Sequence, residues 1–242
     1  MKIISLKNPK SPVSEAYRSI RTNIEFSNVD ENIKVIMVTS SKQNEGKSTV
    51  ISNLAVSFAS LEDKKVLIID GDLRNPTVHR TFGISNIYGV TDILLGYKTF
   101  EECVGSVGSN NLDILTTGKI APNPSEMLGS SRMREFINSI RDSYDYIFID
   151  APPIGIVTDA GVMSSFVDGT VLVVASKETD VEMVKIAKER LNQVNAKILG
   201  CVLNKFEEKK SAYGYYGYYN ETEGAKHRIK KKKFSLGFGM FK

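Results

Sequence analysis

Three consecutive residues suited to handling phosphate, Gly46, Lys47 and Ser48, stand between an apolar run and a helical pattern. In a phosphate-binding loop (P-loop) at the start of a helix, backbone N–H groups surround the phosphates, a lysine reaches the β and γ phosphates, and a hydroxyl ligates Mg²⁺. The sequence therefore predicts a site for ATP and Mg²⁺. The predicted nucleotide-binding residues of this loop are Ser41, Lys42, Gln43, Asn44, Glu45, Gly46, Lys47, Ser48 and Thr49.

This loop departs from the full motif at two positions. The pattern GxxxxGK[ST] places glycine at position 41, where this chain has serine, and Asn44 stands where many such loops have another glycine. Asparagine tolerates a left-handed backbone better than most residues, so the loop can still close. A plain turn between strand and helix is the alternative, but the order strand, loop, helix favours nucleotide binding.

Acidic residues end or follow two later apolar runs. VLIID is followed by GDLRNP, which together supply Asp70, Asp72 and Arg74, and YIFID ends at Asp150 before two prolines. A single Asp at a strand end is usually a turn residue. Three carboxylates at one edge of a sheet would repel one another without a cation, and Mg²⁺ favours one or two carboxylates plus phosphate and water. The predicted Mg²⁺ contacts are Ser48, Asp70, Asp72 and Asp150.

Short apolar runs alternate with amphipathic segments of helical length along most of the chain. Runs that are apolar throughout, and do not alternate with polar residues, indicate strands covered on both faces. The predicted fold class is α/β, with a doubly wound, mostly parallel sheet. The predicted strands are 35–40, 66–70, 112–117, 146–150, 170–176 and 198–204, and three clear helical patterns are 48–61, 130–142 and 181–194.

The composition is that of an ordinary globular protein, but its charge is unevenly spread. The formal net charge is +4, yet residues 226–242 carry seven Lys or Arg and no acid, which leaves the preceding residues at −3. We therefore expect no nucleic-acid binding by the folded part. The basic tail is either a solvated end or a contact for anionic lipid or polyphosphate.

Targeting and metal signals are weak. No apolar run reaches the length of a membrane span, and the N-terminus does not resemble a signal peptide, so we expect a cytoplasmic protein. Cys103 and Cys201 lack metal-binding spacing and are expected to stay reduced.

Two further segments lie outside the phosphate motifs. One of them predicts a helix at 11–28, SPVSEAYRSIRTNIEF, with Ser11 as N-cap and Pro12 at the first helical position. Its charged residues Glu15, Arg18 and Arg21 are of the kind that usually forms a solvated face. Near the C-terminus, five tyrosines separated only by glycine suggest an exposed segment, usually a low-complexity linker. They are Tyr213, Tyr215, Tyr216, Tyr218 and Tyr219.

Together these motifs resemble the bacterial tyrosine kinases of capsular and exopolysaccharide synthesis, a branch of the P-loop ATPases that also contains the ParA/MinD proteins. SKQNEGKS resembles their Walker A motif, IIDGDLR their Walker A′ motif and IFIDAPP their Walker B motif. EAYRSIR resembles the E-x2-R-x2-R motif, and APNPSEML at 121–128 resembles a further segment of the family. The tyrosine run resembles the family's C-terminal cluster. The resemblance extends from about residue 10 to residue 220.

This resemblance implies a protein-tyrosine kinase that uses ATP and Mg²⁺ and phosphorylates the tyrosine cluster of a neighbouring chain. Lys47, Asp70 and Asp72 would be catalytic, with Asp70 the first choice as base because it directly ends its strand. Asn204 would contact adenine. Glu15, Arg18 and Arg21 would lie in the interface of a ring-shaped homo-oligomer, and Lys42 would be a solvent-exposed loop residue.

The resemblance also implies partners. They are a tyrosine phosphatase, protein tyrosine substrates, and a membrane-embedded activator of the polysaccharide co-polymerase type that acts through its cytoplasmic tail. Through this activator the kinase would be held at the inner face of the membrane. The predicted organisation is a kinase domain at 1–207, the tyrosine cluster at 208–225 and the basic tail at 226–242. The alternatives are a ParA/MinD-like ATPase switch without kinase activity and a regulatory nucleotide-binding module.

Overall fold

A computed structural model describes residues 3–27, 32–108 and 111–207 of the chain. The predicted tyrosine cluster at 208–225 and basic tail at 226–242 lie outside the described residues. Residue contacts divide the chain into one unit at Met1–Phe206 and a second at Glu207–Lys242. The architecture that follows is that of the first unit.

A seven-stranded sheet forms the centre of the described residues, in the order β3-β4-β2-β5-β1-β6-β7. Every neighbouring pair is parallel except β3 with β4, so the predicted doubly wound, mostly parallel sheet is confirmed. The strands are β1 Val35–Ser40, β2 Val66–Asp70, β3 Val104–Ser106, β4 Leu112–Leu115, β5 Tyr146–Asp150, β6 Gly169–Ala175 and β7 Ile198–Asn204.

Helices cover both faces of this sheet, as strands that are apolar throughout require. Along β1, Val35 and Met37 pack into one apolar core and Ile36 and Val38 into the other, so successive residues are buried on opposite faces. The described helices are α1 Ile4–Lys7, α2 Pro12–Ser27, α3 Lys47–Ala59, α4 Val78–Phe82, α5 Val90–Leu94, α6 Phe100–Cys103, α7 Pro124–Gly129, α8 Ser131–Ile140, α9 Asp159–Met163 and α10 Val181–Gln193. None of them is long and apolar enough to cross a membrane.

The start of α2 follows the predicted capping pattern. Ser14 donates its backbone N–H to Ser11 Oγ at 3.1 Å, and Pro12 is the first helical residue. Proline suits this position because its missing N–H would have no acceptor within the helix. The predicted cap is therefore confirmed, and the helix ends at Ser27.

The three charged residues of α2 do not share one environment. Arg18 pairs with Glu15, and both side chains are largely open to solvent. Arg21 is only 13% exposed and donates from Nη1 to the carbonyl of Ser57, in the last turn of α3, at 2.5 Å. A cation at a helix C-terminus is favourable. The solvated face that such charges usually form therefore does not include Arg21, which joins α2 to α3.

We predict that Arg21→Ala lowers the free energy of unfolding by about 1.5–3 kcal/mol, the usual contribution of a hydrogen bond made by a charged group. Arg18→Ala is the control; it removes the pair with Glu15 and a hydrogen bond to the Pro9 carbonyl, and it should cost less than about 1 kcal/mol because both contacts are open to solvent. Urea denaturation followed by circular dichroism measures both values. Equal effects of the two substitutions would contradict this role of Arg21.

Candidate nucleotide site

The predicted P-loop lines a pocket of about 470 Å³ at the carboxyl ends of β1, β2 and β5. Gln43, Asn44, Gly46 and the first residues of α3 line it, with residues from the turn after β2, the loop after β5 and the end of β7. Asn44 has φ 64°, which confirms the left-handed backbone expected of it. Gly46 also has a positive φ of 88°, and a Cβ there would approach Asn204 Nδ2 to 2.2 Å.

Three of the predicted loop residues turn their side chains away from this pocket. Ser41 is fully buried beneath the loop. Lys42 is half-buried and donates from Nζ to the carbonyl of Glu178, so it is not the exposed loop residue that was expected. Glu45 is buried as well. The side chains of Ser41, Lys42 and Glu45 therefore support the loop, whereas the pocket itself is lined by Gln43, Asn44 and the residues from Gly46 to Thr49.

The carboxylate of Glu45 fixes the loop from below. Its Oε2 accepts from the backbone N–H of Lys42 at 2.8 Å, and its Oε1 accepts from the N–H of Ala175 at 3.2 Å and from the hydroxyl of Thr179. Its backbone carbonyl accepts from Asn204 Nδ2 at 2.8 Å. The loop is thus joined to the ends of both β6 and β7.

Lys47 lies between two carboxylates at the centre of the site. Its Nζ is 2.8 Å from Asp72 Oδ2 and 3.5 Å from Asp150 Oδ1. Burial alone would lower the pKa of Lys47, but the charges of Asp150, Asp72 and Asp70 outweigh burial and raise it. The ammonium group therefore stays charged, as stabilisation of phosphate requires.

Asp70 lies behind this pair and does not line the pocket. It has no exposed surface, and its Oδ2 accepts from the backbone N–H groups of Thr77 and Val78 at 3.1 and 3.0 Å. Burial, with the nearby charge of Asp150, raises the pKa of Asp70 to about 8. Asp72, by contrast, lines the pocket directly.

Ser48 is held for a role at a metal. Its hydroxyl donates to Asp150 Oδ2 at 2.5 Å and accepts from Thr77 Oγ1 at 2.7 Å. Burial raises the pKa of Asp150, against the opposing charge of Lys47. The hydroxyl and the Walker B carboxylate are therefore already paired where the motif predicts Mg²⁺ contacts.

The residues present fit ATP with Mg²⁺. Apart from the ion pair with Lys47 Nζ at 3.5 Å, the buried Asp150 Oδ1 has no hydrogen-bond partner among the described residues, which suits an oxygen that receives a cation or a bound water. The described part of the chain holds no group of three His, Cys, Asp or Glu side chains that could bind a metal by themselves. Mg²⁺ commonly keeps water and phosphate oxygens as ligands, so a site completed by the nucleotide is expected.

Several positions near the pocket were not predicted as site residues. Thr77, Asn75 and Ile156 line it, and Thr77 bonds to Ser48. The only signal for Thr77 was its place shortly after the D-x-D-x-R motif. Arg74, whose role was left open, donates to Asp159 and so ties down the acidic turn. No sequence pattern indicated a role for Asp159, because an Asp at the start of a helix is usually a simple N-terminal cap.

Other predicted residues lie elsewhere. Glu15, Arg18 and Arg21 belong to α2, which packs on α3, and they do not line this pocket. The tyrosine cluster, with Tyr213, Tyr215, Tyr216, Tyr218 and Tyr219, lies outside the described residues. Asn204 lines the pocket from the end of β7, which leaves its predicted adenine contact a prediction.

Comparison with known proteins agrees with this geometry. Residues 33–201 match the AAA domain family. The chain is 46% identical over 216 residues to the tyrosine-protein kinase YwqD of Bacillus subtilis (strain 168), covering 89% of this chain and 91% of that protein. The kinase domain of Escherichia coli tyrosine kinase ETK has a similar structure, with a TM-score of 0.81 and 32% identity over 89% of this chain and 85% of that one.

A more distant structure shares the fold. The septum site-determining protein MinD from Pyrococcus horikoshii OT3, solved with Mg-ADP, has a TM-score of 0.61 and 25% identity over 74% of this chain and 72% of that one. The predicted P-loop fold of the ParA/MinD type is therefore confirmed.

We predict that Asp70→Asn stabilises the protein in the presence of a chelator at pH 8. Because the pKa of Asp70 is raised from 3.8 to about 8, the folded protein holds a proton that the unfolded chain has lost between these values. The stability of the wild type therefore falls as the pH rises from about 4 to about 8. The variant should gain at least about 1.4 kcal/mol at pH 8, the equivalent of one pKa unit, and little near pH 4.

Asp145→Asn is the control with the opposite sign. Burial would raise the pKa of Asp145, but the backbone N–H of Lys65 and the side chain of Lys64 lower it overall. This substitution should therefore destabilise the protein at pH 8. Thermal unfolding at pH 5 and pH 8 with EDTA compares the two variants, and a loss of stability in Asp70→Asn at pH 8 would contradict the raised pKa.

Proposed function

The chain belongs to the family of bacterial tyrosine-protein kinases, and we propose that its C-terminal tyrosine cluster is an acceptor for the γ-phosphoryl group of ATP. The enzyme is a protein-tyrosine kinase. One observation carries the assignment of its centre: Lys47 is held between Asp72 and Asp150 beneath a left-handed glycine at the start of α3. ATP with Mg²⁺, when bound, supplies the phosphoryl group.

Each residue of the site has a role in the transfer. Lys47 and the first amides of α3 stabilise the negative charge of the phosphates. Ser48 and Asp150 would contact Mg²⁺, and the sequence also predicts contacts from Asp70 and Asp72. Gln43, Asn44, Gly46 and Thr49 line the pocket that the nucleotide would occupy, as does Asn204, the predicted adenine contact. Arg74 keeps the acidic turn in place.

Asp70 and Asp72 are the two candidates for the base that receives the proton of the tyrosine hydroxyl. A phenol is a poor nucleophile near neutral pH, so a carboxylate has to receive its proton. Sequence order favoured Asp70, but the pocket geometry favours Asp72, because Asp72 lines the pocket and Asp70 accepts backbone N–H groups behind it. When Asp70→Asn and Asp72→Asn are compared in kinetics and in binding of an ATP analogue, we expect Asp72→Asn to lose more kcat at similar affinity. A larger loss of kcat in Asp70→Asn would instead identify Asp70 as the base.

The acceptor cluster supports transfer between chains. Tyr213, Tyr215, Tyr216, Tyr218 and Tyr219 follow the last strand in sequence and are separated by glycine, whose conformational freedom permits the extended backbone that a kinase needs. Each phosphotyrosine adds about 1.5–2 negative charges. Repulsion from the acidic, Mg²⁺-dependent site would release a phosphorylated segment, and a tyrosine phosphatase would be needed to reset it.

The wider role is the regulation of capsular or exopolysaccharide synthesis. By the family resemblance, a membrane protein of the polysaccharide co-polymerase type would activate the kinase through its cytoplasmic tail and hold it at the inner face of the membrane. Other proteins would supply further tyrosine substrates. A ParA/MinD-like switch without kinase activity is not favoured, because relatives that cover nearly the whole chain are named tyrosine-protein kinases.

We predict that Lys47→Met abolishes autophosphorylation, detected as phosphotyrosine in protein from a host without other tyrosine kinases. Lys47 is not the exposed residue that its motif suggested, since its side chain is only 12% exposed. Its removal leaves buried carboxylates unpaired and should also lower the melting temperature. Ser48→Ala, which keeps Lys47, is the second variant. Phosphotyrosine at wild-type level in either folded variant would contradict the assignment of the site.

A mixture of two variants tests transfer between chains. The first is Lys47→Met, which keeps the cluster, and the second carries phenylalanine at all five cluster tyrosines, which keeps the active site. We expect phosphate on the Lys47→Met chain, read by mass spectrometry of its C-terminal peptide. An unmodified peptide, under conditions where the wild type phosphorylates itself, would contradict transfer between chains.

We predict that the double variant Glu15→Ala, Arg18→Ala weakens both oligomer formation and autophosphorylation while leaving the melting temperature nearly unchanged. These two side chains form an exposed pair, and such a pair contributes little to stability by itself. Lys185→Ala, which removes an exposed pair with Glu182 on α10, is the matched control. Light scattering measures the assembly, and an unchanged oligomer would remove α2 from the interface.

A further inference from the structure

One fully buried carboxylate near the pocket belongs to none of the predicted motifs. Asp159 is the first residue of α9, and its side chain is 0% exposed. Its Oδ2 accepts from Arg74 Nε at 2.7 Å, and its Oδ1 accepts from Arg74 Nη2 at 3.1 Å and from the hydroxyl of Ser125. A carboxylate buried in this way is tolerated only when its charge is paired and hydrogen-bonded.

These three residues join three separate segments at the rim of the site. Arg74 comes from the turn after β2, Ser125 from the first turn of α7, and Asp159 from the start of α9. The sequence places Ser125 in the APNPSEML segment, whose purpose the P-loop motifs do not explain. Asp159 thus connects that segment to the acidic turn.

Arg74 connects Asp159 to the nucleotide pocket. It lines the pocket itself and stands two residues after Asp72. Asp72 in turn accepts the backbone N–H of Asn75 on Oδ1 and contacts Lys47 through Oδ2. The Arg74 side chain is 44% exposed, so solvent would leave it mobile without the two parallel bonds to Asp159.

We propose that Asp159 is a positioning residue for phosphoryl transfer: it holds Arg74, and through Arg74 it fixes the turn that presents Asp72 to the pocket. This inference rests on the proposed function of the site. Among the described residues, the hydrogen bonds and the ion pair of Asp159 reach no residue of the P-loop. The loss of Asp159 should therefore affect the transfer step more than the binding of nucleotide.

A second Arg–Asp pair, which is partly buried, offers a control. Arg141 Nη2 contacts both oxygens of Asp168 at 2.7 Å, and Asp168 also accepts the backbone N–H groups of Lys34 and Val35. Asp168 lies at the amino end of β6, whereas the P-loop follows the carboxyl end of β1. Asp168 does not line the nucleotide pocket. Asp168→Asn should cost stability and leave kcat unchanged.

The test compares Asp159→Asn with Asp168→Asn in the full-length chain. Autophosphorylation kinetics give kcat and the KM for ATP, and a fluorescent ATP analogue with Mg²⁺ gives the dissociation constant. We expect Asp159→Asn to lower kcat about tenfold to a hundredfold, the scale of a small misplacement of a reacting group, with less than about a threefold change in nucleotide affinity. Ser125→Ala removes the bond from Arg74 Nη2 to Ser125 Oγ at 3.1 Å and the bond from Ser125 to Asp159, but it leaves both Arg74–Asp159 bonds in place and should have a smaller effect.

A double-mutant cycle tests whether Asp159 acts through Arg74. In an Arg74→Ala background, Asp159→Asn should lower kcat by less than about twofold, because the link is already broken. If Asp159→Asn does not fold, Arg74→Lys serves in its place: lysine keeps the charge but cannot form both bonds, and the same loss of kcat at unchanged nucleotide affinity is expected.

Three results would overturn the proposal. They are a wild-type kcat in folded Asp159→Asn, a loss of kcat matched by an equal loss of nucleotide binding, and a full effect of Asp159→Asn in the Arg74→Ala background. A wild type that forms no phosphotyrosine would instead refute the proposed function. The two failures are therefore distinguishable.

Discussion

The arrangement of the site follows from one electrostatic constraint: the ammonium group of Lys47 faces the carboxylates of Asp70, Asp72 and Asp150 in a largely buried region. Charges at this depth are strongly coupled, because little solvent screens them. Burial raises the pKa values of Asp70 and Asp150, and the neighbouring carboxylates add to this effect, Asp150 acting on Asp70 and Asp72 on both. The site is therefore incomplete without a cation, and Mg²⁺ arriving with a nucleotide meets this need.

The sheet makes this crowding of charge possible. In the register of β2 with β5, Asp70 lies directly opposite Asp150, and β1 leads from the neighbouring position into the P-loop. Parallel strands bring the ends of chain segments that are far apart in sequence to one edge. The same geometry places Asp159, after β5, within reach of Arg74, after β2. Buried strands give these residues rigid supports.

Much of this arrangement could be predicted from the sequence, because the determining signals were local. Four predicted strands, 35–40, 66–70, 146–150 and 198–204, have the observed bounds, since continuous apolar runs end abruptly at polar residues. The edge strand β3, with three residues, is too short to show a pattern and was not predicted.

The environments of individual side chains were harder to predict, because they depend on contacts between distant segments. Arg21 reads as a surface residue until α3 places the Ser57 carbonyl beside it. Lys42 and Glu45 read as pocket residues, although their partners, Glu178 and Thr179, lie more than a hundred positions away in the chain.

Glu45 also has a bearing on how fast nucleotide can bind. A carboxylate next to phosphates would normally repel them, but here its charge is directed downward, onto two backbone N–H groups and a hydroxyl. Those bonds, all made within the protein itself, hold the loop in a left-handed turn at Asn44 and Gly46. Little conformational entropy remains to be lost on association, so the encounter with nucleotide need not wait for the loop to order. The acid within the phosphate loop thus works as a means of preorganisation.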